Sequence, residues 1–253
     1  VALNLLPALR GAVAFLTRLP VGGDERAWEA FRRTPAAFPL AGYLVGAIVA
    51  LPLVLPVPPT AAAALYLATI YLVTGVAHAD GLADLGDAAA VHGDAARRRA
   101  VLKDSATGVG GALALGLALV ALGLGALGLA GPGGVVAFRL AVAAEVGTKA
   151  GMALLVCLGD AAHEGLGSKL VDEVSPASLP PVALAALPAA LLPPSGSRVA
   201  LVAALLAGPV VALLVGRWAK NHLGGISGDA LGAANELGRV AAVHAGVIAW
   251  TAF

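Results

Sequence analysis

The sequence predicts an all-α protein: a polytopic helical membrane protein of about seven transmembrane helices, preceded by an N-terminal interfacial helix. Three observations carry this. Of 253 residues, 59% are hydrophobic and only 12% charged, and mean hydropathy is +0.90, far outside the range of a soluble globular domain. The apolar residues gather in runs of about 17 to 25, the length a bilayer core demands. Between those runs the basic residues alternate between rich and empty segments, as inner and outer loops do.

The opening stretch, VALNLLPALRGAVAFLTRLPV, holds Pro7, Arg10 and Arg18. It reads as a helix lying in the interface within a 1–33 segment. Without a leading basic region or a small-residue cleavage site it does not read as a secretory signal. The apolar runs are Phe38 to Val57, Thr60 to Val76, Gly108 to Ala130, Val135 to Leu158, Pro176 to Leu192, Val199 to Gly216 and Arg239 to Phe253. The fifth is short and proline-rich and has the character of a re-entrant segment. The last reaches spanning length if its helix begins near Asp229. Together they make one integral membrane domain, 1–253.

Arg10, Arg18, Arg26, Arg32 and Arg33 precede the first run, and the turn after it has no basic residue. Arg97, Arg98, Arg99 and Lys103 fill the 77–107 loop, and the next turn, GPGG, has none. Lys169 lies in the 159–175 loop, and Arg217, Lys220 and Arg239 mark the 217–238 loop and its end. This pattern predicts a multi-pass protein of the cell membrane with a cytoplasmic N-terminus. Every Asp and Glu except Glu145 falls in a segment assigned inside. A transporter would more often place its ionisable groups at mid-membrane. The single cysteine, Cys157, excludes an internal disulfide and any multi-cysteine metal site. No nucleic-acid partner is expected, and lipid is.

The chemistry concentrates in HADGLADLGDA, His78 to Ala88. On a helix Asp80, Asp84 and Asp87 stand at i, i+4 and i+7, within about 60 degrees of one face. Carboxylates this close need a compensating cation, and an all-oxygen donor set suits Mg²⁺ shared with substrate phosphates. The competing reading is a solvated helix start with Asp80 as cap, for which one acid would suffice. His78 points off that face and is either a hydrogen-bonding group or a substrate contact.

A second motif, KDSATGVGG, brings Lys103, Asp104 and Ser105 to a glycine-rich turn whose N–H groups could nest an anion; a capped helix entry is the alternative. In the third, GGISGDALGAANELG, glycines up to Gly228 delay a helix until Asp229. Asp229 and Glu236 then repeat the i, i+7 acid spacing of the first motif, with Asn235 beside them. Two opposed acid faces would suit a metal clamp on a phosphoryl group. Glu145 and Lys149, at i and i+4 in the fourth run, are expected to pair, because lone charges there would be costly.

The motifs FLTRLPV, FPLAGYLVG, TGVAHADGLADLGDA, LKDSATGVGGALAL, EGLGSK and GGISGDALGAANELG, in this order, resemble the cobalamin synthase (adenosylcobinamide-GDP ribazoletransferase) family over essentially the whole chain. The resemblance implies Mg²⁺-dependent joining of adenosylcobinamide-GDP to α-ribazole or its 5′-phosphate, with release of GMP. It makes Asp80, Asp84 and Asp87 the expected catalytic and metal-binding acids, with Asp84 the first candidate for general base. His78, Lys103, Asp104, Ser105, Gly228, Asp229, Asn235 and Glu236 are the expected substrate contacts. One departure is AAEVGTK in the fourth run, where the family pattern leads one to expect an arginine. A membrane prenyltransferase or CDP-alcohol phosphotransferase also sets aspartate-rich helices around Mg²⁺-diphosphate, but with acids differently spaced.

Overall fold

The computed structural model describes residues 2–104, 106–192 and 198–253. Twelve α-helices are seen among them: α1 Ala2–Leu16, α2 Glu25–Arg32, α3 Ala37–Val49, α4 Pro59–Thr74, α5 Ala77–Ala90, α6 Ala95–Val101, α7 Val109–Leu129, α8 Gly134–Leu158, α9 Leu166–Val171, α10 Leu179–Ala186, α11 Arg198–Leu223 and α12 Gly228–Ala252. The only β pairing among the described residues is an isolated bridge between Ala161 and Ile226.

The centre is α8, of whose apolar stretch 94% is buried. It packs against α3, α11 and α12. Small residues let these helices approach backbone to backbone, as membrane helices do where no hydrophobic effect drives them together. A β-carbon added at Gly147 would lie within 2.2 Å of the Leu205 carbonyl oxygen on α11, and one at Gly42 of α3 within 2.9 Å of the Val146 Cα. By contrast, α7 and α11 leave much of their surface outward: 22% and 39% of their apolar windows are buried. Leu117, Leu124, Leu206 and Leu214 are among the exposed side chains, a lipid-facing pattern.

The seven expected spans are not all realised as long helices. By length and composition three helices qualify, α7, α8 and α11, and a fourth if α4 and α5 count as one bent span. For two of the runs the reason is proline. The run from Phe38 yields the 13-residue α3 and then a 3-10 turn at Leu51–Val54 containing Pro52. The run from Pro176 breaks into two 3-10 turns around the eight-residue α10. The last helix does begin early, at Gly228, and its 25 residues include Asp229, Glu236 and Arg239 in the first half.

Between α4 and α5 the chain bends by 94°. Gly75 makes the elbow with φ +70°, a conformation that disfavours any side chain. Its N–H closes α4 on the Tyr71 carbonyl, and the Arg18 N–H holds the neighbouring Val73 carbonyl at 2.7 Å. The bend turns α5 away from the axis of α4 and lays it across the start of α12.

Candidate active site

Two of the motifs meet where α5 crosses α12. A β-carbon on Gly81 would lie 2.9 Å from the Cα of Asp229, and one on Gly232 would lie 3.0 Å from the His78 carbonyl oxygen. A side chain at Gly81 would force the helices apart and one at Gly232 would crowd them, so the crossing is a backbone contact. It sets Asp229 beside the face of α5 that carries Asp80 and Asp84. Ser227 starts α12: its hydroxyl accepts the Ala230 N–H at 3.2 Å and donates to the Asp229 carboxylate at 3.3 Å.

The acids feel one another. Partial burial, followed by the charges of Asp80, Asp229 and Asp87, pushes the Asp84 carboxyl up to about 6. Burial also raises Asp229, to which Asp80 adds, while the Ser227 hydroxyl and nearby His163 pull the other way. Asp80 is exposed, and Asp84 and Asp229 are half-buried. Among the described residues none of these three carboxylates makes an ion pair with a Lys or Arg side chain.

Asp87 has other work. One of its oxygens accepts the Gly108 N–H at 2.7 Å and the other the Gly111 N–H at 2.8 Å. It thereby caps α7, whose orphan N–H groups and positive dipole end favour a carboxylate. The glycine-rich turn does cradle an anion, but the anion is this side chain. The third carboxylate beside Asp80 and Asp84 is Asp229. Lys103 and Asp104 are exposed near that turn, with Asp104 accepting the Ala106 N–H at 3.1 Å. Ser105 lies outside the described residues. Gly228 is exposed at the first turn of α12.

Asn235 and Glu236 do not share the open site. Two turns further along α12, about 10 Å by helix rise, they are buried in an ionic network with Glu145, Lys149 and Arg239. Lys149 bonds Glu145 at 3.2 Å and also donates to the Asn235 carbonyl. Arg239 donates to Glu145 and, at 2.7 Å, to Glu236, which also accepts from Tyr71 at 3.1 Å. The expected Glu145–Lys149 pair is present. Its arginine partner comes from α12 and not from the fourth run. Arg239, counted from sequence as a loop charge, is fully buried. The signal was available: it follows Glu236 by three residues inside an apolar stretch, where a charge requires a partner. His78 is also buried at the α5–α12 crossing, and its Nδ1 has no hydrogen-bond partner among the described residues.

Among the described residues no group of three or more His, Cys, Asp or Glu side chains is drawn together as a ready metal cage. The donor chemistry nevertheless fits a hard cation: all-oxygen, clustered and short of positive charge. Mg²⁺ characteristically takes one or two carboxylates and completes its shell with water and substrate phosphate.

The remaining segments assigned inside gather at the same end. The Ile226 N–H donates to the Asp160 carbonyl at 2.7 Å, and the Ala162 N–H to that of Ile226 at 3.0 Å. Arg99 donates to the Leu223 carbonyl at 2.7 Å, closing α11, and Arg98 closes α5 on the Ala88 carbonyl. Arg33 pairs with Glu173 at 3.0 Å. Two of the three consecutive arginines, Arg98 and Arg99, thus staple helix ends besides marking topology.

The model of the cobalamin-5-phosphate synthase family matches residues 8–247. A protein of Halorubrum lacusprofundi named adenosylcobinamide-GDP ribazoletransferase is 56% identical, covering 98% of this chain and 100% of its own. One of the same name from Haloquadratum walsbyi is 52% identical over 97% of this chain and 99% of its own. A third, from Methanocella arvoryzae, is 33% identical over 99% of each. No solved structure matches.

Proposed function

The chain belongs to the cobalamin-5-phosphate synthase family, and from that premise we propose that it joins adenosylcobinamide-GDP to α-ribazole, or its 5′-phosphate, with Mg²⁺ at the carboxylate group of α5 and α12. It is an enzyme of cobalamin synthesis, a transferase with the apolar helices of a membrane protein. Membership sets aside the prenyltransferase, CDP-alcohol phosphotransferase and transporter readings.

In the proposed reaction a ribose hydroxyl of the ribazole attacks the phosphorus on the cobinamide side of the diphosphate. A new P–O bond forms, the bond to the bridging oxygen breaks, and that oxygen leaves with GMP. Asp84 takes the hydroxyl proton. Its carboxylate, part-buried beside Asp80 and Asp229, is the proton acceptor nearest the proposed metal. Asp80 and Asp229 would hold the metal, which when bound offsets charge on the diphosphate and on departing GMP. Asp87, engaged by Gly108 and Gly111, keeps the start of α7 against α5. Lys103 and Gly228, exposed at the rim, are the proposed diphosphate contacts.

The observation that carries this reading is the Gly81–Gly232 crossing, which joins two sequence motifs into one acidic face. The alternating loop charges support an inner-membrane-face location with the N-terminus inside. The test is to mix purified protein in detergent with adenosylcobinamide-GDP, α-ribazole and Mg²⁺ and to follow GMP. Release that stops on adding EDTA and resumes with excess Mg²⁺ is expected. Release unaffected by chelation removes the metal from the reaction.

A further inference from the structure

At the inner ends of α8 and α11, on the lining given by Leu155, Leu158, Leu213 and Ile226, lies a cleft of about 430 Å³. Its walls are mainly apolar, with Asp160 and Asn221 among them, and two cations of α11, Arg217 and Lys220, line it as well. Arg217 is exposed and makes no ion pair among the described residues. Lys220 meets Asp160 at 3.3 Å, but both side chains are mostly in solvent, at 70% and 78% exposure. A pair so exposed contributes little and yields readily to a competing anion. Leu158 and Leu213, about half exposed, continue the cleft toward the outward surface of α11. Apolar depth opening on the lipid side, with positive charge where the spanning helix ends, complements an amphiphile with an anionic head.

We propose that this cleft binds one anionic glycerophospholipid, with its phosphate at Arg217 and Lys220 and the upper part of an acyl chain on Leu158 and Leu213. A nucleotide is a poorer match, because among the described residues no aromatic ring lines the cleft to stack on a base. The seat of the lipid is connected to the acidic face by a short path. Ile226 lines the cleft, is held to Asp160 and Ala162 by backbone bonds of 2.7 and 3.0 Å, and precedes Asp229 by three residues. The bound lipid therefore braces the segment from which α12 starts.

The measurement is native mass spectrometry of protein released from nanodiscs of phosphatidylcholine doped with phosphatidylglycerol. Its readout is lipid retention and does not depend on transferase activity, so it stands apart from the proposed reaction. The wild-type chain should retain phosphatidylglycerol in preference to phosphatidylcholine. R217Q/K220Q should lower that retention roughly tenfold, the scale of interfacial basic charges on an anionic lipid. L213W, which fills the cleft and leaves both cations, should lower it too. Both changes lie on exposed surface, and an unchanged melting temperature verifies the fold. Equal retention of the two lipids, full retention by R217Q/K220Q or by L213W, or displacement of phosphatidylglycerol by added GDP would each overturn the proposal.

Discussion

The α-hydrogen of Gly81 faces the backbone of Asp229 so closely that a methyl group there would come within 2.9 Å of its Cα and 3.0 Å of its carbonyl oxygen. The partner atoms are main chain, so no rotamer change relieves the overlap. Gly81→Ala should push α5 off α12 and separate Asp229 from Asp80 and Asp84. Misplacement on the scale of an ångström costs about a hundredfold in turnover, and overpacking costs about 1 to 3 kcal/mol of stability. GMP release and thermal unfolding in detergent measure both. Wild-type turnover in Gly81→Ala would show that the crossing does not set the site.

Asp84→Asn should remove activity and stabilise the metal-free protein. The folded carboxyl titrates near 6, above the usual carboxylate value of about 3.9. Between those values the folded chain binds more protons than the unfolded one, so stability falls as pH rises through that window. At pH 7 the full cost of burying the charge, with the repulsion added to it, is present. Asparagine relieves it, by about 1 kcal/mol once solvent screening is allowed for. The melting-temperature advantage of Asp84→Asn should therefore be present at pH 7 and vanish below pH about 4. An advantage that grows on acidification would contradict the assignment.

Asp87 should separate from Asp84 by its phenotype. Asp87→Ala strips two N–H partners from the start of α7 and should cost about 1 to 2 kcal/mol, as lost helix caps do. Its turnover should fall less than that of Asp84→Asn. The Mg²⁺ concentration giving half-maximal GMP release should remain close to wild type; a large rightward shift would restore Asp87 to the ligand set.

Removing one member of the buried network strands its partners. Arg239→Met leaves Glu145 and Glu236 short of their common cation and should destabilise by about 3 to 5 kcal/mol. Combining Arg239→Met with Glu145→Gln should recover part of that loss, a non-additivity expected of groups in contact. A double-mutant cycle in thermal unfolding reads it directly, and strict additivity would show that the two do not interact.

The acidic face of α5 was legible because it is local: Asp80 and Asp84 lie one turn apart, and helix periodicity alone aligns them. Asp229 was legible as a repeat of that pattern. Asn235 and Glu236 were misplaced because periodicity reports a face but not a depth. The face of α12 that begins at the open site runs down into the protein, and two turns along it meets α8. The role of Asp87 depends on N–H groups more than twenty residues away, which no spacing rule exposes. Hydropathy likewise found the apolar runs but overcounted long helices, since Pro52 and the prolines around α10 shorten segments whose composition alone would span.

The charges beneath the site also bear on how the chain enters a bilayer. Glu145 and Lys149 are one turn apart on α8, and Glu236 and Arg239 are three residues apart on α12. Each helix thus carries an opposite pair of its own, so that in each the deepest charges are matched within the helix before the two meet. Only when the two meet does Arg239 reach across to Glu145 and Lys149 to Asn235. The intrahelical pairs persist in the assembled protein, and the added bonds between α8 and α12 mark the docking of the last helix.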